Sequence, residues 1–283
     1  MTLRRPELSV VIPTYRRNDL LARCLDALSP GVQTLPAEHY EVIVTDDGPE
    51  GDNAQAMVAE RYPWARWTQG PRRGPAANRN HGARQVRSEW IVFTDDDCVP
   101  DPGWLKAFAD ARTAHPDAEV LEGKTVCREG IPSPLYASPT NETGGYLWSC
   151  NMAIAKALFD ELNGFDESFP FAAMEDVDLR ERILSAGRRF PFVTEAVVNH
   201  PPRPVPPPKR RAQMAESGFL FDSRRGQSPR KAELLKQVAY FRLREIYWQP
   251  KGVDSFRAVG HLLAELWELN RLFPSWQSKY GSA

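Results

Sequence analysis

The sequence predicts an α/β protein: a mainly parallel, doubly wound sheet with helices on both faces, followed by a C-terminal helical extension. Three observations carry this expectation. Short apolar runs alternate with amphipathic stretches through the first hundred residues, the pattern of strands covered on both faces by crossover helices. Carboxylates gather directly after two of those runs, Asp46-Asp47 and Asp95-Asp96-Asp97. A proline-rich segment, Pro201 to Pro208, then leads into a basic stretch with helical periodicity.

The elements follow in order. Leu8 to Ile12 is a buried strand ended by Pro13, and Asp19 to Leu28 has apolar residues at helical spacing. Glu41 to Thr45 is the second strand, Asn53 to Tyr62 a helix, and Arg66 to Thr68 a weak third strand. Pro75 to Val86 reads as a helix with proline at its start. Trp90 to Thr94 is a strong strand and Pro102 to Ala111 another helix. Beyond residue 100 the character changes. Ala118 to Cys127 and Tyr146 to Ile154 read as strands around a Pro- and Gly-rich loop, Ile131 to Gly145. Met174 to Ala186 reads as a helix and Arg189 to Val198 as the last strand. The prolines from Pro201 to Pro208 predict a stiff extended linker. Beyond it, Glu233 to Tyr247 and Phe256 to Phe273 are amphipathic helices. The expected boundaries are 1–202 for the sheet domain, in halves 1–100 and 101–202, and 203–283 for linker and tail.

Composition narrows the class. With 283 residues, 42% hydrophobic and 26% charged, the chain is globular and long enough to bury a core. No stretch approaches the ~18 uninterrupted apolar residues of a membrane-crossing helix. The opening apolar run is too short for a signal peptide, which predicts a cytoplasmic chain. Cys24, Cys98, Cys127 and Cys150 contain no C-x-x-C pair, so they read as reduced thiols rather than a zinc knuckle or disulfide framework. The net charge of −1 hides an asymmetry. From Arg203 onward there are 15 Lys+Arg against 7 Asp+Glu, a balance of +8; the first 202 residues carry 21 against 30, a balance of −9. The acidic part suits a metal ion and the basic part an anionic partner. An acidic body without a recognition motif argues against nucleic acid.

Open α/β sheets bind ligands at the carboxyl ends of their strands. Like charges gathered there repel, so a cation or hydrogen-bond donors are expected beside Asp46-Asp47 and Asp95-Asp96-Asp97. Four segments in order resemble the family 2 glycosyltransferases of GT-A, Rossmann-like fold: SVVIPTYRRNDLLARCLDAL, VTDDGPEGD, GPAANRNHGARQVRSEWIVFTDDDCVPDPGWL, and NMAIAKALFDELNGFDESFPFAAMEDVDLRERILSAGRRF. The resemblance covers about residues 8–200.

That resemblance implies a metal-dependent inverting transferase using a nucleotide-diphosphate sugar. Asp97 would ligate Mn2+ or Mg2+, His200 would complete its shell, and Asp95 would assist or hold the ribose. A hard cation held by carboxylates neutralises a diphosphate leaving group. Asp47, with Asp46, would meet the base, which slightly favours a UDP-type donor. Pro13, Thr14, Tyr15 and Arg16 form the first strand-to-helix loop and would line the base pocket. Gly74, Arg79, Asn80 and Asp96 complete the expected nucleotide-sugar contacts, Arg79 through its bidentate reach to phosphate. Asp176, preceded by Glu175, would be the base that takes the acceptor hydroxyl proton. Trp148 and Asn151 would face the acceptor, a saccharide or lipid-linked molecule.

Two rival classes are weaker. A sugar-1-phosphate nucleotidyltransferase needs a Gly-rich, Lys-containing loop after the first strand, and Pro13-Thr14-Tyr15-Arg16-Arg17 has no glycine. A calcium loop fails at Val99. A catalytically degenerate nucleotide-sugar-binding or membrane-surface scaffold is opposed by the presence of Asp95, Asp97, Asp176 and His200. The tail either contacts a membrane peripherally, pairs with a second copy, or packs on the sheet domain.

Overall fold

The computed structural model describes residues 5–49, 51, 54–227, 229–249 and 252–281. They divide into two compact units. The first runs through Arg128, takes in Pro139–Glu167 and ends with Glu175–His200; the second comprises Glu129–Ser138, Ser168–Met174 and the residues from Pro201 on.

The first unit is an eight-stranded sheet. Its strands are β1 (Leu8–Thr14), β2 (Tyr40–Asp46), β3 (Arg66–Gln69), β4 (Trp90–Thr94), β5 (Val99–Pro100), β6 (Val120–Val126), β8 (Asn151–Ala155) and β9 (Phe192–Asn199); β7 (Tyr136–Ala137) belongs to the second unit. The order is β3-β2-β1-β4-β8-β6-β9-β5. Strands β3, β2, β1 and β4 run parallel, as do β6 and β9; β8 and β5 pair antiparallel with their neighbours.

Period-two alternation explains the two covered faces. Leu8, Val10 and Ile12 of β1 pack into one core with α1 (Asn18–Leu28), α2 (Ala54–Arg61) and α4 (Trp104–Ala114). Val11 of the same strand, with Ile91 and Phe93, packs against α3 (Pro75–Ala83), α5 (Lys156–Glu161) and α6 (Glu175–Ser185). Both faces are thus dry, and the strands read as near-continuous apolar runs. Asn53, the expected first residue of α2, lies outside the described residues.

The segment expected as a strand from Tyr146 becomes one only at Asn151. The physical reason is Glu122. Its buried carboxylate accepts the amides of Gly145, Tyr146 and Leu147 and the side-chain amide of Asn141. Amides spent on a carboxylate cannot join a ladder, and Leu147 turns with φ 50°.

In the second unit β7 (Tyr136–Ala137) pairs antiparallel with β10 (Arg203–Pro204), inside the segment expected as loop and linker. Pro208 does not continue the linker: it opens α7 (Pro208–Arg224), with proline in its first turn. Helices α8 (Lys231–Trp248) and α9 (Val253–Tyr280) follow. Ala212 and Phe219 of α7 pack with Leu269, Phe273 and Trp276 of α9. Glu265 of α9 is buried with Arg211 at 2.7 Å and Arg242 at 3.4 Å, so one carboxylate ties the three helices.

Candidate active site

The parallel run of β1, β2 and β4 brings three strand ends to one edge. Thr14 stands at the first, Asp46-Asp47 at the second and Asp95-Asp96-Asp97 at the third. Thr14 stitches them together: its carbonyl accepts the Asp47 amide at 3.0 Å, and its hydroxyl donates to Asp96 at 2.7 Å. Pro13 is buried behind it, while Tyr15 is exposed beside Arg16. Arg16 adopts φ 55°.

Asp96 is wholly buried. Burial pushes its carboxyl up to about 7, against the pull of Arg17. Arg17 was not singled out from the sequence. Its guanidinium pairs with Asp96 through two nitrogens and donates to Asp97 at 2.9 Å. Burial alone would lower the Arg17 pKa; Asp96, Asp97 and Asp95 outweigh it.

His200 arrives from the far end of the sheet. Its amide donates to the Val126 carbonyl at 2.8 Å, and β9 lies against β5 just after the acidic turn. His200 Nε2 therefore lies 3.5 Å from Asp97 Oδ1. With Cys98 Sγ, these ligand atoms all lie within 4.8 Å of one another. A carboxylate oxygen and an imidazole nitrogen so placed fit a first-row divalent ion. The Cys98 thiol is soft, and burial pushes its pKa well up, so it suits a hard cation less.

Arg79 links this edge to α6. It is buried, donating to Asp95 at 2.6 Å and to Glu175 at 3.3 Å. Burial would lower its pKa, but Asp95 and Glu175 hold it above the ordinary value. Burial raises Glu175, with Arg79 opposing. Asp176 is also raised by burial, opposed by Arg79 and by the amides of Val177 and Ser149. The Ser149 amide ties Asp176 to the loop carrying Trp148. Trp148 stacks on Tyr146, with ring centroids 5.2 Å apart at 20°.

The residues 9–158, just over half of the chain, match the model of glycosyl transferase family 2. The chain belongs to that family. Glycosyltransferase AglE of Haloferax volcanii is 27% identical over 217 residues, 72% of this chain and 70% of the relative. Other curated glycosyltransferase relatives are longer, this chain matching 21% to 52% of their length. Two solved structures share the GT-A fold. S. aureus TarS 1-349 in complex with UDP-GlcNAc has a TM-score of 0.57 at 18% identity, covering 96% of this chain and 74% of that one. The mannosyltransferase PcManGT of Pyrobaculum calidifontis, in complex with GDP-Man and Mn2+, has 0.54 at 21%, covering 99% and 76%.

Within this family 2 glycosyltransferase, several residues expected at a ligand also make contacts within the fold. Asn80 spends its amide on the Phe165 carbonyl and Glu167, and its oxygen accepts the Phe165 amide. It thereby anchors the turn at Gly164. Asn151 is also turned inward: it accepts from the Trp104 indole and donates to the Lys124 and Ala196 carbonyls. Arg79 is a buried bridge between Asp95 and Glu175. Asp46 accepts the Gly48 amide at 2.7 Å. Asp47 accepts the amides of Arg72 and Gly74, each at 2.9 Å, and so shapes the loop that ends at Gly74. Gly74 meets this with φ 92°. Tyr146 joins Arg17 among the residues missed: an exposed tyrosine in a supposed strand carries no local signal of a stacked pair.

Proposed function

We propose that the chain catalyses metal-dependent, inverting transfer of a sugar from a nucleotide-diphosphate sugar to an acceptor hydroxyl, in the assembly of a surface polysaccharide or glycoconjugate. One observation carries the reading: Arg79 joins Asp95, at the donor edge, to Glu175, the neighbour of Asp176. Charge handling for a diphosphate and a half-buried carboxyl base therefore belong to one constellation.

Asp97 and His200 would hold Mn2+ or Mg2+, with Asp95 assisting. An ion held there would supply positive charge for the diphosphate leaving group. The chain's own residues do the rest. The loop of Pro13, Thr14, Tyr15 and Arg16, with Asp46, Asp47 and Gly74, lines the nucleotide side. Arg17 and Thr14 fix Asp96 so that the acidic turn keeps its shape. Asp176 takes the proton from the acceptor hydroxyl as its oxygen bonds to the anomeric carbon and the bond to the diphosphate oxygen breaks. Glu175 is held by Arg79 and keeps the first turn of α6 in place. The stacked pair Tyr146–Trp148 offers an aromatic face to an acceptor sugar.

The nucleotide partners named for the two solved neighbours, UDP-GlcNAc and GDP-Man with Mn2+, support this donor class without choosing the base. The test is thermal unfolding with UDP and GDP, with and without Mn2+. A ligand that binds only the folded state raises the midpoint. We expect a rise with one diphosphate that requires Mn2+ and disappears in Asp97→Ala. No rise with either diphosphate in folded protein favours the second reading, a catalytically degenerate scaffold.

A further inference from the structure

Helix α9 carries apolar residues on two opposite sides. Ala258, Leu262, Leu269, Phe273 and Trp276 face inward and are buried. Phe256, Leu263 and Trp267 recur at i, i+7 and i+11, which places them within a sector of about 40° on the opposite side. Phe256 is 82% exposed and Trp267 63%. An exposed apolar face rimmed by charged residues marks a surface for a partner or a membrane.

Helix α8 repeats the arrangement. Leu234, Leu235 and Val238 pack into the helical core. Tyr240, Leu243 and Tyr247, at i, i+3 and i+7, lie opposite and are exposed, and Trp248 beside them is 75% exposed. Lys236 and Arg244 share that outward sector, are exposed, and form no salt bridge among the described residues. Arg271 stands over the Trp267 ring at 5.9 Å.

We infer that the outward faces of α8 and α9 dock on an anionic lipid surface. Tryptophan and tyrosine rings with an apolar body and a polar tip settle at the headgroup boundary, and Lys and Arg around them meet anionic lipid. Charge selects this occupant over a second copy of the chain. Residues 203–283 carry a balance of +8, which attracts an anionic surface and repels an identical unit. Among the described residues no helix is long and apolar enough to cross a membrane. The helices therefore lie in the surface plane. The inference stands apart from the proposed reaction, because it uses none of the residues assigned to it.

The experiment is flotation of the full chain with vesicles of phosphatidylcholine, with or without phosphatidylglycerol, over a salt series. Two variants accompany it: Phe256→Glu with Trp267→Glu, and Lys236→Glu with Arg244→Glu. All four positions are exposed, so thermal midpoints should match the parent. We expect binding to the phosphatidylglycerol vesicles that falls as salt rises, and roughly tenfold or greater weakening in each variant. Three results would overturn the inference. One is absence of binding to phosphatidylglycerol vesicles at low salt. Another is unchanged binding in the Phe256/Trp267 variant. The third is a concentration-dependent dimer in light scattering that this variant abolishes, which would assign the face to a second copy.

Discussion

Arg79 donates to Asp95 across 2.6 Å, and that contact fastens the acidic turn after β4 to α3. The same guanidinium reaches Glu175, 96 residues away in sequence. All three groups are largely withdrawn from water. Removing one partner of a buried ion cluster leaves charge uncompensated, at a cost of about 3–5 kcal/mol. Arg79→Leu should lower unfolding stability by that order. Arg79→Lys should fall between, because an ammonium cannot span two carboxylates as a planar fork does. Urea denaturation measures both; an Arg79→Leu variant as stable as the parent would show that Asp95 and Glu175 are neutralised otherwise.

Asp176 predicts a displaced acid limb. Burial raises its carboxyl, and the opposing Arg79 and amides of Val177 and Ser149 do not restore the ordinary value. A base works only when ionised, so kcat/KM for transfer should rise with pH through a pKa above the usual carboxylate range. Asp176→Asn should lose at least about 10²-fold in kcat while nucleotide binding stays intact. The stability sign runs the other way. A carboxyl whose folded pKa is raised stabilises the fold below its unfolded pKa, and loses that contribution as pH rises through the folded pKa. The variant should therefore gain on the parent at the alkaline end of a stability–pH series. An acid limb at ordinary carboxylate pH would remove Asp176 as the base.

The strand ends of this site were legible because they are local: the apolar run Val42-Ile43-Val44 ending just before Asp46, and Trp90 to Phe93 ending just before Asp95, each announce their own edge. The acidic turn, Glu175-Asp176 and the aromatic richness of the tail were legible for the same reason. Helix α7 was not, because it opens on Pro208-Lys209-Arg210-Arg211 and its apolar contacts are spread among polar residues. Neither was the strand register around residue 146, because it is overridden by Glu122, more than twenty residues earlier. Arg17, just before α1, and Arg79, within α3, look alike in sequence as charges among polar residues. Only tertiary pairing distinguishes a lock on Asp96 from a bridge between Asp95 and Glu175.

Glu122 offers a test of the acceptor side. It is buried and accepts from Asn141 at 2.7 Å, Gly145 at 2.6 Å and Tyr146 at 2.8 Å, besides Leu147. Glutamine is nearly the same shape but turns an NH2 towards at least one of these donors. The expected loss is about 1.5–3 kcal/mol for each charge-assisted bond broken. The loop presents the Tyr146–Trp148 pair, so Glu122→Gln should raise the acceptor KM more than the donor KM. Equal changes in both would separate the aromatic pair from acceptor binding.

Gly123, next to Glu122, is held to glycine by space. A Cβ there would lie 2.2 Å from Asn151 Oδ1. Asn151 cannot simply move, because its side chain is fixed by the Trp104 indole at 2.8 Å, the Lys124 carbonyl at 2.9 Å and the Ala196 carbonyl at 3.0 Å. Gly123→Ala should therefore cost about 1–3 kcal/mol of overpacking, with about 1–3 more if a buried bond of Asn151 is broken. Asn151→Ala removes the obstacle along with those bonds. In that background Gly123→Ala should cost much less than it does alone, a coupling that a double-mutant cycle reads directly. Additive losses in the two variants would mean that the glycine is required by its backbone and not by the amide packed against it.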